Sequence, residues 1–543
     1  MQTPAPAKLE LTGRPAAPGS ALGPIVEIAT PRPGKRAAGD PAHESAALLA
    51  AIGGAMAEID ALSTKIKGTG ADMLEFQSAM LADDALHAPA LADIAGGAPA
   101  DAAWLGAVGA QIEEYQAAGD AYFRARASDL VDLRDRVLRR LNGVTRPTQL
   151  AVTGILAADD LTPSQFLEAD WTEGSGIMLA AGSSASHAAV LARARGVPMV
   201  VGLGHLPISG HEMAMIDGAS GKVVLSPGAG EQALYASYRA GAEARRQIER
   251  AASAKPATTR DGTPISVLVN IAGPADLAMI DPTTCDGIGL FRTELMFRDG
   301  KPLPDEETQY RAYRGCLEWA GERPVTIRTL DIGGDKPIRG LTVAGESNPF
   351  LGTRGIRLML MRPDIFRVQL RALARAAVHG QLKVMLPMVT LPAELDETQR
   401  LLEDAIAGLA REGIASRRPH IGIMVEVPAA AIMAGSFASA AFFSIGSNDL
   451  TQYVMAASRD TPAVASLNEG APDAVIRLIA ETVAAAGALG IDVSLCGDMA
   501  SDSRLLEPLL ATGLRSFSVA PAALGRVKAA LSRLAIGGSD GQA

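Results

Sequence analysis

From Pro264 onward, short apolar runs alternate with helical stretches, and this alternation limits the possible folds more than any other feature of the chain. The runs are Ile265–Ile271, Gly287–Leu290, Val325–Arg328, Lys383–Leu386, Ile421–Val425, Phe442–Ile445, Val493–Cys496 and Ser516–Val519. Strands that recur with helices between them make parallel β-α-β units. Eight of them over about 280 residues fit a (β/α)8 TIM barrel, which typically takes about 250; a doubly wound sheet is the alternative. Arg292, Arg328, Glu426, the pair Asn448-Asp449 and Cys496 fall at the C-terminal ends of five different runs. Barrel enzymes assemble their active sites at that end.

The first half is organised differently. Residues 9–29 read as short strands broken by Gly and Pro. From about Glu44 to Asn142, apolar positions recur every three or four residues, as in a helical bundle. Strands resume after Pro147 with Gln149–Thr153, Gly176–Ala180, Pro198–Val201 and Gly221–Leu225. The expected architecture is multidomain α/β. Residues 1–30 and 146–228 form one α/β domain, into which an α-helical bundle, 31–145, is inserted. A helical linker spans 229–258, and 259–543 form the C-terminal barrel. A chain of 543 residues is long enough for several domains.

Bulk properties exclude several classes. The net charge of −10 argues against nucleic acid as a partner. No uninterrupted apolar run approaches the roughly 18 residues of a membrane span, and the N-terminus lacks a secretory pattern. Cys285, Cys316 and Cys496 are far apart and odd in number, which predicts a reducing cytoplasm rather than a disulfide framework. Between residues 41 and 140 there are 15 Asp/Glu and 8 Lys/Arg. That acidic excess is either a solvated surface or a docking face for a basic partner.

His187 is one of only seven histidines and follows the small-residue loop Gly182-Ser-Ser-Ala-Ser186. A bulky anion can approach such a loop closely, and free N–H groups at a helix start favour negative charge. That suits a histidine that accepts and passes on a phosphoryl group. In the barrel, Glu426 and Asp449 offer two hard oxygen ligands, the kind of set that holds Mg2+ together with substrate oxygens and water. Arg292, Arg328 and Arg459 offer forked donors for phosphoryl and carboxylate oxygens, and Arg354 and Lys336 can join them. Phosphoryl transfer depends mostly on such positioning and charge stabilisation. Cys496, in Leu495-Cys-Gly-Asp, is either apolar filler or a proton donor.

Four stretches carry a resemblance: Gly289-Leu-Phe-Arg-Thr-Glu-Leu, Ile327-Arg-Thr-Leu-Asp-Ile-Gly-Gly-Asp-Lys-Pro337, Ile423-Met-Val-Glu-Val-Pro-Ala-Ala, and Phe443-Ser-Ile-Gly-Ser-Asn-Asp-Leu-Thr-Gln-Tyr453 with Arg459 beyond it. In this order and spacing the chain, from about residue 9 to 525, resembles enzyme I of the bacterial phosphotransferase system. The resemblance implies a swivelling phosphohistidine domain carrying His187 and a barrel that binds phosphoenolpyruvate. It implies Mg2+ held by Glu426 and Asp449, with the phosphate gripped by Arg292 and Arg328. Arg459, Arg354, Lys336 and Asn448 would complete the substrate site, together with Asp449. Cys496 would protonate the enolate to give pyruvate. It further implies a carrier partner, HPr, docked on the helical insertion, and a homodimer formed through the barrel. The output would be the first step of sugar uptake.

Three departures from the family pattern stand out, one of them the lack of an aromatic residue in the segment after Arg459. The usual Gly-Gly-x-Thr-x-His is here Gly182-Ser-Ser-Ala-Ser-His187, so Ser183 replaces a glycine and Ala185 a hydroxyl. One lost neutral hydrogen bond costs about 0.5–1.5 kcal/mol, and Ser184 or Ser186 can compensate. Asp498 stands where the family usually has Glu. Two other readings compete. A pyruvate phosphate dikinase or phosphoenolpyruvate synthase needs a further nucleotide-binding domain, for which this chain has no room. A catalytically impaired regulatory protein is supported only by the altered loop. The nitrogen-regulatory branch usually carries an N-terminal sensory domain, so the sugar-type branch is expected.

Overall fold

The computed structural model describes residues 7–27, 39–64, 69–117, 121–143, 150–184, 186–297, 302–334, 338, 340–343, 345–459, 461 and 463–536. Lys336 and Ala185 therefore lie outside the described residues. The chain divides into two compact units, Met1–Gly241 and Ala242–Ala543.

Among the described residues of the first unit there are ten strands: β1 (Leu9–Thr12), β2 (Arg14–Ala17), β3 (Ser20–Glu27), β4 (Leu150–Val152), β5 (Ile155–Ala158), β6 (Ala169–Trp171), β7 (Gly176–Leu179), β8 (Met199–Val201), β9 (Met213–Asp217) and β10 (Lys222–Leu225). Eight of them form one sheet in the order β1-β10-β9-β3-β5-β7-β8-β2, and β4 pairs with β6. The helices are α1 (Pro41–Ser63), α2 (Thr69–Leu81), α3 (Asp84–Ala95), α4 (Ala100–Ala117), α5 (Ala121–Leu141), α6 (Pro163–Glu168) and α7 (His187–Arg195); α8 (Ala229–Ser253) begins in this unit and ends in the second. Neighbouring strands β3 and β5 run parallel, Ile25 facing Ile155. Their crossover contains α1–α5, as an insertion requires.

Strand alternation explains how the sheet holds the bundle. Leu156, Ile177, Leu179, Met199 and Val201 join a core that includes Leu48, Ile52, Leu74 and Trp104 of the bundle. The alternate residues Ile155, Ala157, Met178 and Val200 pack on the opposite face with Ala214, Ile216 and Val223. The bundle and one face of the sheet thus share a continuous apolar interior. Helix α1 is long and apolar enough to cross a membrane by length and composition alone. Here Leu48, Ile52, Ala55 and Ile59 of that helix are buried in this core instead. Arg136, also buried, joins α1 to α6 through Glu58 at 2.9 Å and Glu168.

The second unit contains β11 (Ser266–Ile271), β12 (Ile288–Arg292), β13 (Val325–Arg328), β14 (Leu382–Leu386), β15 (His420–Val425), β16 (Phe442–Gly446), β17 (Asp492–Cys496) and β18 (Ser516–Val519). They close into a barrel in chain order, all pairs parallel. The doubly wound alternative is thereby excluded. Alternation again sorts the residues. Val267, Val269, Ile327, Val384, Ile423 and Ile445 pack outward into the main core with the helices. Leu290, Met385, Met424, Phe442 and Cys496 form a separate small cluster. By period 2, Arg292, Arg328 and Glu426 share the face of Leu290, Thr326 and Met424, so the strand ends aim polar groups above that cluster.

Candidate active site

Barrel-end residues converge on two arginines. Arg328, at the end of β13, is buried and pairs with Glu294 and, at 3.1 Å, with Asp331. Arg354, just before the helix Ile356–Met361, is also buried and binds Asp331 at 3.0 Å and Asp449 at 3.5 Å. Its Nη1 donates to the Tyr453 hydroxyl at 3.3 Å. Asp331 therefore bridges both guanidiniums. Desolvation opposes both charges, but the surrounding carboxylates outweigh it and hold the two arginines firmly protonated. Glu294, Asp331 and Tyr453 were given no role from sequence, although each lies inside one of the recognisable motifs. Asp331, three residues after Arg328, was the one available signal; Glu294 and Arg354 are distant from their partners along the chain.

Glu426 follows β15 directly and is 1% exposed; its Oε1 accepts the Met388 N–H at 2.7 Å. Burial, with Asp449 and Asp331 nearby, pushes its carboxyl well above the usual range, while Arg328 and Arg354 pull the other way. Asp449 and Asn448 do not end a strand. They occupy the first turn of the helix Ser447–Val454 that follows β16. The helix begins immediately after Gly446, so the sequence reading was displaced by one element boundary. Asp449 Oδ1 is buried without a hydrogen-bond partner among the described residues, and Arg459 Nη2 lies 3.8 Å away. Asn448 and Arg459 line a pocket of about 190 Å3 with Ser447, Thr451 and Asp498. Asn448 Nδ2 donates to Asp498 at 3.0 Å, and the Asp498 N–H donates back to Asn448 Oδ1 at 2.8 Å. The shorter acid at this position is thus fixed against Asn448.

Cys496 ends β17 and is buried, and the Ser444 hydroxyl donates to its sulfur at 3.7 Å. Burial pushes its thiol up to about 11, against a hydrogen bond from Ser444 and the charges of Arg328 and Arg292. It is therefore protonated at neutral pH. The following Gly497 has φ 95°, and a Cβ there would run into Ser447 and Asn448. Only glycine lets the thiol strand turn this close to the helix start. Arg292 is exposed at the end of β12, and among the described residues it forms no ion pair. The structure thus brings Arg328, Arg354, Glu426, Asp449 and Cys496 together, with Arg459, Asn448 and Arg292 at the margin. Among the described residues no group of three or more His, Cys, Asp or Glu is arranged to hold a metal. Two carboxylates, one with an orphaned oxygen, are still a fitting set for Mg2+, which commonly takes one or two and leaves other positions to substrate and water.

His187 lies in the first unit, at the first position of α7. Ser186 caps that helix, its hydroxyl accepting the Ala189 N–H at 3.2 Å. This hydroxyl is therefore committed to the helix start. The loop before it is tied down by arginines: Arg14 donates to Gly182 O at 2.9 Å and Arg193 to Ser184 O at 2.9 Å. Gly182 takes φ 87°. His187 Nδ1 faces Asp129 of α5 at 3.6 Å, a neighbour that no sequence pattern pointed to.

Family models agree with this division. A model described as PEP-utilising enzyme, PEP-binding domain, matches residues 246–536; the mobile-domain model of the same enzymes matches 151–221, and their N-terminal model matches 12–126. The class is that of phosphoenolpyruvate-utilising enzymes. The chain is 38% identical over 430 residues to the phosphoenolpyruvate-protein phosphotransferase of Geobacillus stearothermophilus, covering 78% of this chain and 74% of that one. The enzyme of the same name from Haloferax volcanii is 41% identical over 416 residues, covering 75% and 72%. The multiphosphoryl transfer protein of Rhodobacter capsulatus is 36% identical over 536 residues, covering 97% of this chain and 64% of that protein. The chain belongs to the phosphoenolpyruvate-protein phosphotransferase family.

Proposed function

We propose that this protein moves the phosphoryl group of phosphoenolpyruvate to His187 and then to the histidine of an HPr-type carrier, releasing pyruvate, as the first step of sugar uptake by a phosphotransferase system. One observation carries the reading. Arg328 and Arg354, locked by Asp331, stand beside Glu426, Asp449 and a protonated Cys496 thiol. That combines cations for a phosphate, carboxylates for a hard cation and a proton source.

Arg292 and Arg328 would bind the phosphate, with Arg354, Arg459, Asn448 and Lys336 around phosphate and carboxylate. Glu426 and Asp449 would hold Mg2+; when bound, that ion supplies positive charge to the substrate oxygens. The His187 lone pair attacks phosphorus in line, and the P–O bond breaks with its electrons moving to the enolate oxygen. Cys496 gives its proton to the methylene carbon, which completes pyruvate, and Arg292 and Arg328 favour the thiolate left behind. His187 and the barrel lie in different units, so the transfer draws on both. We place the swivelling domain at 1–30 and 146–228, the docking bundle at 31–145, the linker at 229–258 and the barrel at 259–543. The acidic excess of the bundle suits a basic carrier face. Homodimerisation through the barrel and a cytoplasmic location complete the proposal; Leu391, Ile432 and Met433 are large exposed apolar side chains on the barrel unit.

The test is incubation with labelled phosphoenolpyruvate and Mg2+, with and without a purified HPr. Acid-labile label on the wild type, absent from His187→Ala and passed to HPr, is expected. A requirement for AMP would instead indicate a dikinase-type reaction.

A further inference from the structure

The imidazole of His187 faces a carboxylate from the inserted bundle. Its Nδ1 is buried, makes no hydrogen bond within 3.5 Å among the described residues, and faces Asp129 Oδ2 at 3.6 Å. The side chain as a whole is 25% exposed, so the accessible part is the rest of the ring, where Nε2 lies. Asp129 itself is buried at 0% and is fixed from behind. Gln77 of α2 donates to Asp129 Oδ1 and to Asp132 Oδ2, both at 3.2 Å. Asp132 in turn accepts from Thr162 at 3.0 Å and Ser164 at 2.6 Å, at the start of α6. A buried polar chain that runs from the start of α6 into the bundle thus ends facing the imidazole.

An ionised carboxylate only accepts hydrogen bonds, so an imidazole nitrogen turned toward it carries the proton. We propose that Asp129 is a positioning residue for phosphoryl transfer at His187: it keeps the proton on Nδ1 and leaves the lone pair on Nε2. This rests on His187 being the phosphoryl acceptor. When Nε2 bonds to phosphorus, the ring keeps its Nδ1 proton and becomes positive, and Asp129 faces that charge. When the phosphoryl group leaves, the N–P bond breaks with its electrons returning to Nε2, and the ring departs as neutral imidazole. Without the proton on Nδ1 the ring would have to leave as an anion. The logic matches that of a carboxylate orienting a catalytic histidine, where the wrong tautomer cripples the reaction.

Two measurements on the full-length protein test this. In 15N-histidine spectra, wild-type His187 should be the Nδ1–H tautomer; an Nε2–H tautomer overturns the proposal, whatever any variant does. In Asp129→Asn the new amide can donate to Nδ1. The tautomer should then invert, and Mg2+-dependent exchange of label between pyruvate and phosphoenolpyruvate should fall by roughly tenfold or more. Asp129→Glu should restore both, which a purely structural role would not do. Asp129→Asn exchanging at the wild-type rate with Nδ1–H retained also overturns it. His187→Ala separates the two claims: exchange that survives there removes His187 as acceptor, whereas exchange lost there but intact in Asp129→Asn removes only the role of Asp129.

Discussion

Single residues carry the chemistry, and their environments set what each can do. The Cys496 thiol is the clearest case. At its ordinary value it would be losing its proton near pH 9, but burial pushes it up to about 11. Proton donation by Cys496 should therefore not titrate between pH 7 and 9, and a pH profile of pyruvate release should be free of a thiol limb there. Cys496→Ala should slow pyruvate release while His187 still exchanges its phosphoryl group with a carrier. Asp331 makes a second prediction. It sits between Arg328 and Arg354, 3.1 Å and 3.0 Å away. Asp331→Ala leaves two buried guanidiniums short of a partner, which should cost about 3–5 kcal/mol and lower the denaturation midpoint of the barrel. The sequence made Arg328, Glu426 and Cys496 readable, because unusual residues at strand ends have a functional meaning. Asp331 was not readable as a bridge. Its second partner, Arg354, is 23 positions away and reaches it only once the loop folds back.

Elements place these residues. The barrel strands were legible to within a residue or two, since a short apolar run between helices has few other readings. Strands β5 and β9 were not, because Ile155-Leu-Ala-Ala and Met213-Ala-Met-Ile-Asp are built from residues that favour helices equally well. Their strand state comes from neighbours in the sheet, which local composition does not encode. Helix α7 depends on its cap. Ser186→Ala removes the acceptor for the Ala189 N–H and should cost about 1 kcal/mol of stability in the first unit. The same change loosens the helix start that carries His187, so thermal melting and the rate of His187 labelling should fall together.

At the scale of the whole molecule, the first unit has a helical bundle threaded between two parallel neighbouring strands, and the second is a closed barrel. The insertion was legible because strand-like sequence stops near residue 29 and resumes near 149. The contact between bundle and His187 was not, since Asp129 and His187 are 58 positions apart and no periodicity links them. The proposed homodimer predicts a sedimentation coefficient that falls on dilution toward that of a single 56.0 kDa chain. Removal of Mg2+ with a chelator should abolish labelling, and restoring the ion should recover it.

The most direct measurement is transfer of label from phosphoenolpyruvate to the wild type and to His187→Ala in the presence of Mg2+. The account predicts an acid-labile phosphoryl group on the wild type, stoichiometric pyruvate and no label on the variant. Label of equal extent on His187→Ala, or pyruvate formed without any phosphoprotein, would contradict it.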